Sequence, residues 1–284
     1  MKRFIKGWFL PFVFSLLASM ILYMVFRSNF CIVHGNSMSP TLNDGQTIFV
    51  TKYSKPSLGD IMLVISPYQK NKRMPRPSLV RCVALPGDTV SIVDKKLIVN
   101  GVVQKDEFCT YDRNVFLVNE EERKLASDTY HIISSYDTGM VHTVPISEFV
   151  LKRIKADGKI KHISNDVISK DLVDKCLYPF STFMQWNKDN YGPIVVPKRG
   201  LTFKINTHNI VCYRDLLEKF ENVKFVQKNG HFYLNGELIR SYTFKRDYYF
   251  LLNDYRDDPS DSRTFGPVPQ DIMIAKYNRV VWSR

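Results

Sequence analysis

Apolar and polar positions follow two different patterns along this chain. Trp8 to Phe26 reads WFLPFVFSLLASMILYMVF, a run of 19 residues without a charge. That is about the length a helix needs to cross a ~30 Å hydrocarbon core. A cleaved leader would have a shorter apolar core, about 7–15 residues, ending in small residues. Here the run ends YMVFRSNF, so an uncleaved anchor is expected. Pro11 is tolerable in the first turn of such a helix or as a kink. From Phe30 onward the pattern shortens to strands: QTIFVTKY, GDIMLVI, LVRCVAL, TVSIV, LIVNG and YYFLLN are β-branched or aromatic runs broken by Gly, Pro, Asp or Asn. KKLIVNGVVQ (Lys95–Gln104) and HFYLNGELIR (His231–Arg240) each place Asn-Gly between apolar runs, a strong hairpin signal.

Residues 105–198 break this pattern. They are polar and charged, with helix-compatible pieces VNEEERKLASD and SEFVLKRIKADG. A short helix is also expected over Asp215–Phe220. The fold expected is mainly β: a twisted core split by an inserted smaller α+β domain, after one N-terminal transmembrane helix. The corresponding division is 1–27 for the cytoplasmic tip and anchor, 28–104 for the first part of the core, 105–198 for the insertion and 199–284 for the second part.

The charge balance acquires meaning once the anchor is placed. Among 284 residues, 40 Lys+Arg face 28 Asp+Glu, a formal +12. Lys2, Arg3 and Lys6 precede the apolar run and Arg27 follows it, which leaves +8 elsewhere. This asymmetry predicts an N-terminus inside and the bulk outside the cytoplasm. Nucleic acid is then an improbable partner, and anionic lipid the natural one. Cys31, Cys82, Cys109, Cys176 and Cys212 form no CxxC and are too scattered for a disulfide scaffold. No cluster points to a metal or an organic cofactor. Cys82 reads as a small buried thiol.

Three segments carry candidate chemistry. Gly35-Asn36-Ser37-Met38-Ser39-Pro40-Thr41-Leu42 follows the anchor. A Gly ahead of a Ser allows close backbone approach and leaves N–H groups free to point at an oxyanion. Pro40 stiffens the turn. Leu79 to Asp88 is a strand running into a Pro-Gly-Asp turn, and Asn253 to Arg263 is a polar loop. Taken alone, that loop reads as a solvated turn with local Asp–Arg pairs worth ~0–1 kcal/mol each.

In this order, behind one anchor, the segments resemble the bacterial type I signal peptidases. GNSMSPTL is similar to the nucleophile segment of that family, with Ser37 at the serine, Gly35 before it, and Met38 and Pro40 in register. RCVALPGD (Arg81–Asp88) resembles the segment that ordinarily opens with a Lys-Arg pair. NDYRDDPSDSRTFGPVP resembles the late loop, with Asp254, Arg256, Asp261, Ser262 and Arg263 in register. WNKDNYGPIVVPKRG (Trp186–Gly200) is similar to a stretch in Bacteroidetes-type members. The resemblance implies a serine endopeptidase of the inner membrane, its bulk on the periplasmic side. It would remove signal peptides from exported preproteins after small-x-small sites, using a serine nucleophile, a lysine base and no cofactor.

One departure is serious: Val80 stands where the family has its lysine, and it cannot take up a proton. Lys70, Lys72 and Arg73 are out of register, Ser78 is no better, and His34 falls on the opposite strand face from Ser37. Pro259 replaces a serine that would hydrogen-bond the lysine, although Ser260 is adjacent. Asn253 and Tyr255 also differ from the family pattern. Three readings follow. The first is a working peptidase whose base comes from elsewhere, for instance the Lys152, Lys155, Lys159, Lys161 cluster. The second is a catalytically silent paralogue that binds signal peptides or associates with an active copy. The third is a membrane-anchored interaction module on the same fold.

Overall fold

A computed structural model describes residues 11–20, 29–52, 55–65, 77–117, 120–130, 141–160, 162–181 and 183–283. Residues 11–20 (α1) are helical, with Phe12, Phe14, Leu16, Leu17 and Met20 exposed. The rest of the apolar run, 8–10 and 21–26, lies outside the described residues. Among the described residues no helix is long and apolar enough to cross a membrane.

The main sheet has seven antiparallel strands. In spatial order they are β1 (Phe30–Ile32), β2 (Thr47–Lys52), β19 (Met273–Trp282), β3 (Ile61–Val64), β4 (Ser78–Ala84), β17 (Tyr248–Leu252) and β18 (Val268–Pro269). The C-terminal strand therefore lies between β2 and β3. Successive β4 side chains serve different cores, as strand alternation requires. Leu79 packs with Met38, Leu42, Ile48 and Leu63. Val80 packs with Met62, Val64, Cys82 and Leu251.

A second sheet runs β11 (Tyr191–Val195), β5 (Thr89–Val93), β6 (Lys96–Val99) and β7 (Val102–Val103). Both expected Asn-Gly hairpins form. Asn100 (φ 52) and Gly101 turn β6 into β7, and Asn235 (φ 50) and Gly236 turn β14 (His231–Leu234) into β15 (Glu237–Ile239). β13 (Phe225–Lys228) completes that small sheet, and β12 (Thr202–Lys204) pairs with β16 (Ser241–Thr243). The largest core lies between β4–β6, β11, β17 and helix α4 (Thr207–Phe220). This helix starts eight residues earlier than expected, because Asn206 and Asn209 form a reciprocal capping box.

Within 105–198 the chain does two things. β8 (Thr110–Phe116), β9 (Val141–Ser147) and β10 (His162–Asn165) form one sheet. It packs with α2 (Glu120–Tyr130) and α3 (Glu148–Asp157) around a core of its own that includes Val115, Val144, Ile146, Leu151 and Ile154. Beyond Asn165 the chain returns to the main body: β11 pairs with β5, and Leu177, Tyr178 and Met184 join the large core. Gly192-Pro193 interrupts β11 with a register shift, which hides the strand in the sequence. A short α5 (Ser262–Phe265) and a 3-10 turn (Gln270–Ile272) lead into β19.

Candidate active site

Gly35, at φ +78, turns the chain into the Ser37 segment, and its N–H donates to Asp44 Oδ1 at 2.7 Å. Its own N–H is therefore engaged within the turn. Met38 and Leu42 are sealed into the core beside Leu79, so the turn has a fixed base. Ser37 itself is half-buried. Among the described residues its hydroxyl has no hydrogen-bond partner, and neither do the Ser37 and Met38 N–H groups. A hydroxyl beside two unengaged N–H donors can present a nucleophile and receive an oxyanion.

The three candidate segments meet here through direct bonds. The Tyr255 N–H donates to the Ser37 carbonyl at 2.9 Å. Thr41 Oγ1 donates to Asp254 Oδ2 at 2.5 Å. Arg81 grips the same carboxylate with two nitrogens, Nε to Oδ1 at 2.7 Å and Nη2 to Oδ2 at 2.5 Å. It also reaches Thr41 Oγ1 at 3.2 Å and the Gly59 carbonyl at 2.8 Å. A two-point Arg–carboxylate pair is both strong and directional. Burial acts to lower the Arg81 pKa, but Asp254 outweighs it and raises it above the ordinary guanidinium value. Thr41 was not singled out in the sequence, although it stands inside the Ser37 motif.

The late loop is self-bracing. Asp261 accepts from the Asn253 N–H and from the N–H and guanidinium of Arg263. Arg263 in turn donates to the carbonyls of Arg256 (2.6 Å) and Asp258 (2.8 Å). Ser262 Oγ accepts from the Leu251 N–H, and Arg256 pairs with Asp106 at 2.9 Å. Asp88 accepts from the Leu85 N–H and from Asn100, fixing the Pro-Gly-Asp turn after β4. These bonds fix the shape of the late loop and of the turn after β4. A cavity of about 380 Å³ lies over Asp94–Lys96, Arg113 and Glu148, and one of about 270 Å³ opens at Arg81, Cys82 and Phe108.

Val80 is fully buried among apolar side chains. Its neighbour Cys82 has its thiol pushed up to about 12, chiefly by burial. Among the described residues no lysine or histidine bonds the Ser37 hydroxyl. His34 is exposed, Lys152 pairs with Glu107 at 3.4 Å, Lys155 is exposed on α3, and Lys159 is exposed just beyond that helix. Lys70, Lys72, Arg73 and Lys161 lie outside the described residues. Ser260 does not restore the missing serine, because its hydroxyl is bonded to Asp258. Among the described residues no His, Cys, Asp or Glu cluster is arranged to hold a metal ion.

The sequence that carries this arrangement has known relatives. The family model for signal peptidase, peptidase S26, matches residues 5–159 and 205–282. The chain belongs to the signal peptidase family. Among similar proteins, signal peptidase I of Streptococcus pneumoniae serotype 4 is 29% identical over 169 residues, covering 53% of this chain and 79% of that protein. Signal peptidase I of Bacillus licheniformis is 35% identical over 86 residues, 29% of this chain and 44% of the relative. Signal peptidase I P of Bacillus subtilis subsp. natto is 33% identical over a stretch of the same length, with the same shares. The matches thus span under half of the Bacillus relatives. The family match pauses at 160–204, a narrower gap than the expected insertion.

Proposed function

We propose that this chain is a membrane-anchored, signal peptidase I-type serine endopeptidase that removes signal peptides from exported proteins after small-x-small sites. It would work on the extracytoplasmic side of the inner membrane, with Ser37 as nucleophile. The observation that carries the reading is the joining of the Ser37 turn, β4 and the late loop through Tyr255, Thr41, Arg81 and Asp254. An extended substrate would add as a strand there, with alternate side chains entering small pockets. The exposed apolar side chains of α1 and the charges flanking the apolar run support anchoring, with the remaining +8 against anionic lipid. The reading invokes no cofactor and no nucleic acid.

Val80 favours a second reading. A serine needs a neighbour to accept its proton, and loss of a general base lowers the rate about 10²–10⁴-fold. On that ground the chain would hold signal peptides without cutting them, alone or beside an active paralogue. The division into anchor, split core and insertion belongs to either reading. The full chain in detergent micelles, given a preprotein whose signal ends Ala-x-Ala, separates the two. Cleavage by the wild type that disappears in Ser37→Ala supports the endopeptidase. Cleavage that appears only in Val80→Lys, or in Val80→Lys with Pro259→Ser, supports the silent paralogue. No cleavage and no binding of the preprotein by any variant would sink both.

A further inference from the structure

We infer that the stretch the family model leaves unmatched, 160–204, braces the late loop, with Lys188 as a positioning residue that acts on the Ser37 turn through Asp257 and Tyr255. The brace itself stands on geometry. Only its functional readout rests on the reading of the Ser37 turn as a signal-peptide site.

The centre of the brace is the buried Asp257 carboxylate. It accepts from Lys188 Nζ at 2.5 Å, from Lys95 Nζ at 2.7 and 2.8 Å, and from the Asp112 N–H at 2.7 Å. Asp112 in turn accepts from the Tyr255 hydroxyl at 2.7 Å, and the Tyr255 N–H holds the Ser37 carbonyl. The unmatched stretch thus reaches the nucleophile turn through an unbroken series of bonds. It is itself tied down: the Lys95 N–H donates to the Asp189 carbonyl at 3.0 Å, and Asp189 stands 4.0 Å from Lys95 Nζ.

A second hold lies at the far end of the same loop. The Tyr178 N–H donates to the Arg263 carbonyl at 2.8 Å, and Arg263 Nη1 reaches the Lys188 carbonyl at 3.3 Å. The Tyr178 ring closes on Gly266 so tightly that a Cβ there would lie 2.8 Å from a ring carbon. The Tyr178 hydroxyl donates to the Cys212 carbonyl, which fixes the ring to α4. The loop is therefore gripped at Asp257 and at Gly266 by one stretch of chain. Burying ammonium groups is costly, and apolar packing would serve stability as well. What the ion cluster adds is direction: three donors converge on one carboxylate and leave the loop a single seating.

The test compares Lys188→Met and Lys188→Arg in the full chain in detergent micelles, by amide hydrogen exchange and by binding of a fluorescent signal peptide ending Ala-x-Ala. In Lys188→Met, exchange is expected to rise about tenfold across 253–258 and 36–42 while β13–β15 stays at the wild-type rate. Peptide affinity is expected to fall by a similar factor. Lys188→Arg restores both. Unchanged exchange at 253–258 and 36–42 overturns the inference, and so does an equal rise in β13–β15, which would mark a loss of global stability only. Should Lys188→Met not fold, Lys188→Gln is read the same way, since that side chain is 20% exposed. If the wild type binds no signal peptide, it is the functional reading that fails, and the exchange pattern alone decides for or against the brace.

Discussion

Asp254 and Asp257 stand three residues apart, and each meets its cations differently. Asp254 takes a flat, two-point grip from Arg81, whereas Asp257 collects point charges from Lys95 and Lys188. Burial pushes the Asp257 carboxyl up, but the bonds from Lys188, Lys95 and the Asp112 N–H outweigh it and hold it below the ordinary 3.8. A lowered carboxyl binds protons less readily in the folded state, so its stabilisation is present above the unfolded pKa and is lost as pH falls through the folded one. Asp112 and Asp189, raised mainly by burial, act in the opposite sense at higher pH. The stability difference between wild type and Asp257→Asn should therefore shrink as pH falls from about 5 to 2.5, read from urea midpoints. A constant difference would mean that the carboxyl is not held low. At Val80 the surroundings matter as much as the side chain. A lysine placed in that dry cluster would have its pKa driven down, the condition a neutral base requires.

At the level of elements, the parts most legible in the sequence were those set by local chemistry. Asn100-Gly101 and Asn235-Gly236 take left-handed backbone where that pair favours it, and the helices near 118–128 and 147–158 form close to their expected places. The Ser37, Arg81 and Asp254 segments were legible because motif order survives without coordinates. What stayed hidden depends on distant partners. Lys95 and Lys188 look like any surface lysine until Asp257 is seen between them. Nothing in the sequence marks Asp44, which takes the Gly35 N–H. The first eight residues of α4 were missed because Thr207, His208 and Asn209 are weak helix formers. Asn206 compensates by accepting from the His208 and Asn209 N–H groups. Asn206→Ala should therefore cost about 1 kcal/mol in urea unfolding. A loss within ~0.2 kcal/mol of zero would show that tertiary packing alone starts the helix.

For the molecule as a whole, the five cysteines offer a graded probe. Cys176 is exposed, while Cys82, Cys109 and Cys212 are buried, with thiols pushed up to about 12, 12 and 11, chiefly by burial. Only the thiolate reacts appreciably. A maleimide at about pH 7 should therefore modify Cys176 in the native chain and reach those three only after denaturant is added. Mass spectrometry of the labelled peptides would show it, and early labelling of Cys109 would mean that β8 opens on its own. The place of β19 has a consequence in time. β2 and β3 make no ladder with each other; each pairs with the chain's last strand, which lies between them. Ser37 is made early, but Tyr255 and then β19 must arrive before its turn is held and the sheet closes. Synthesis runs from the N-terminus, so the Ser37 turn is made well before the residues that hold it. Order of manufacture thus leaves the Ser37 turn without its brace until Tyr255 has been made.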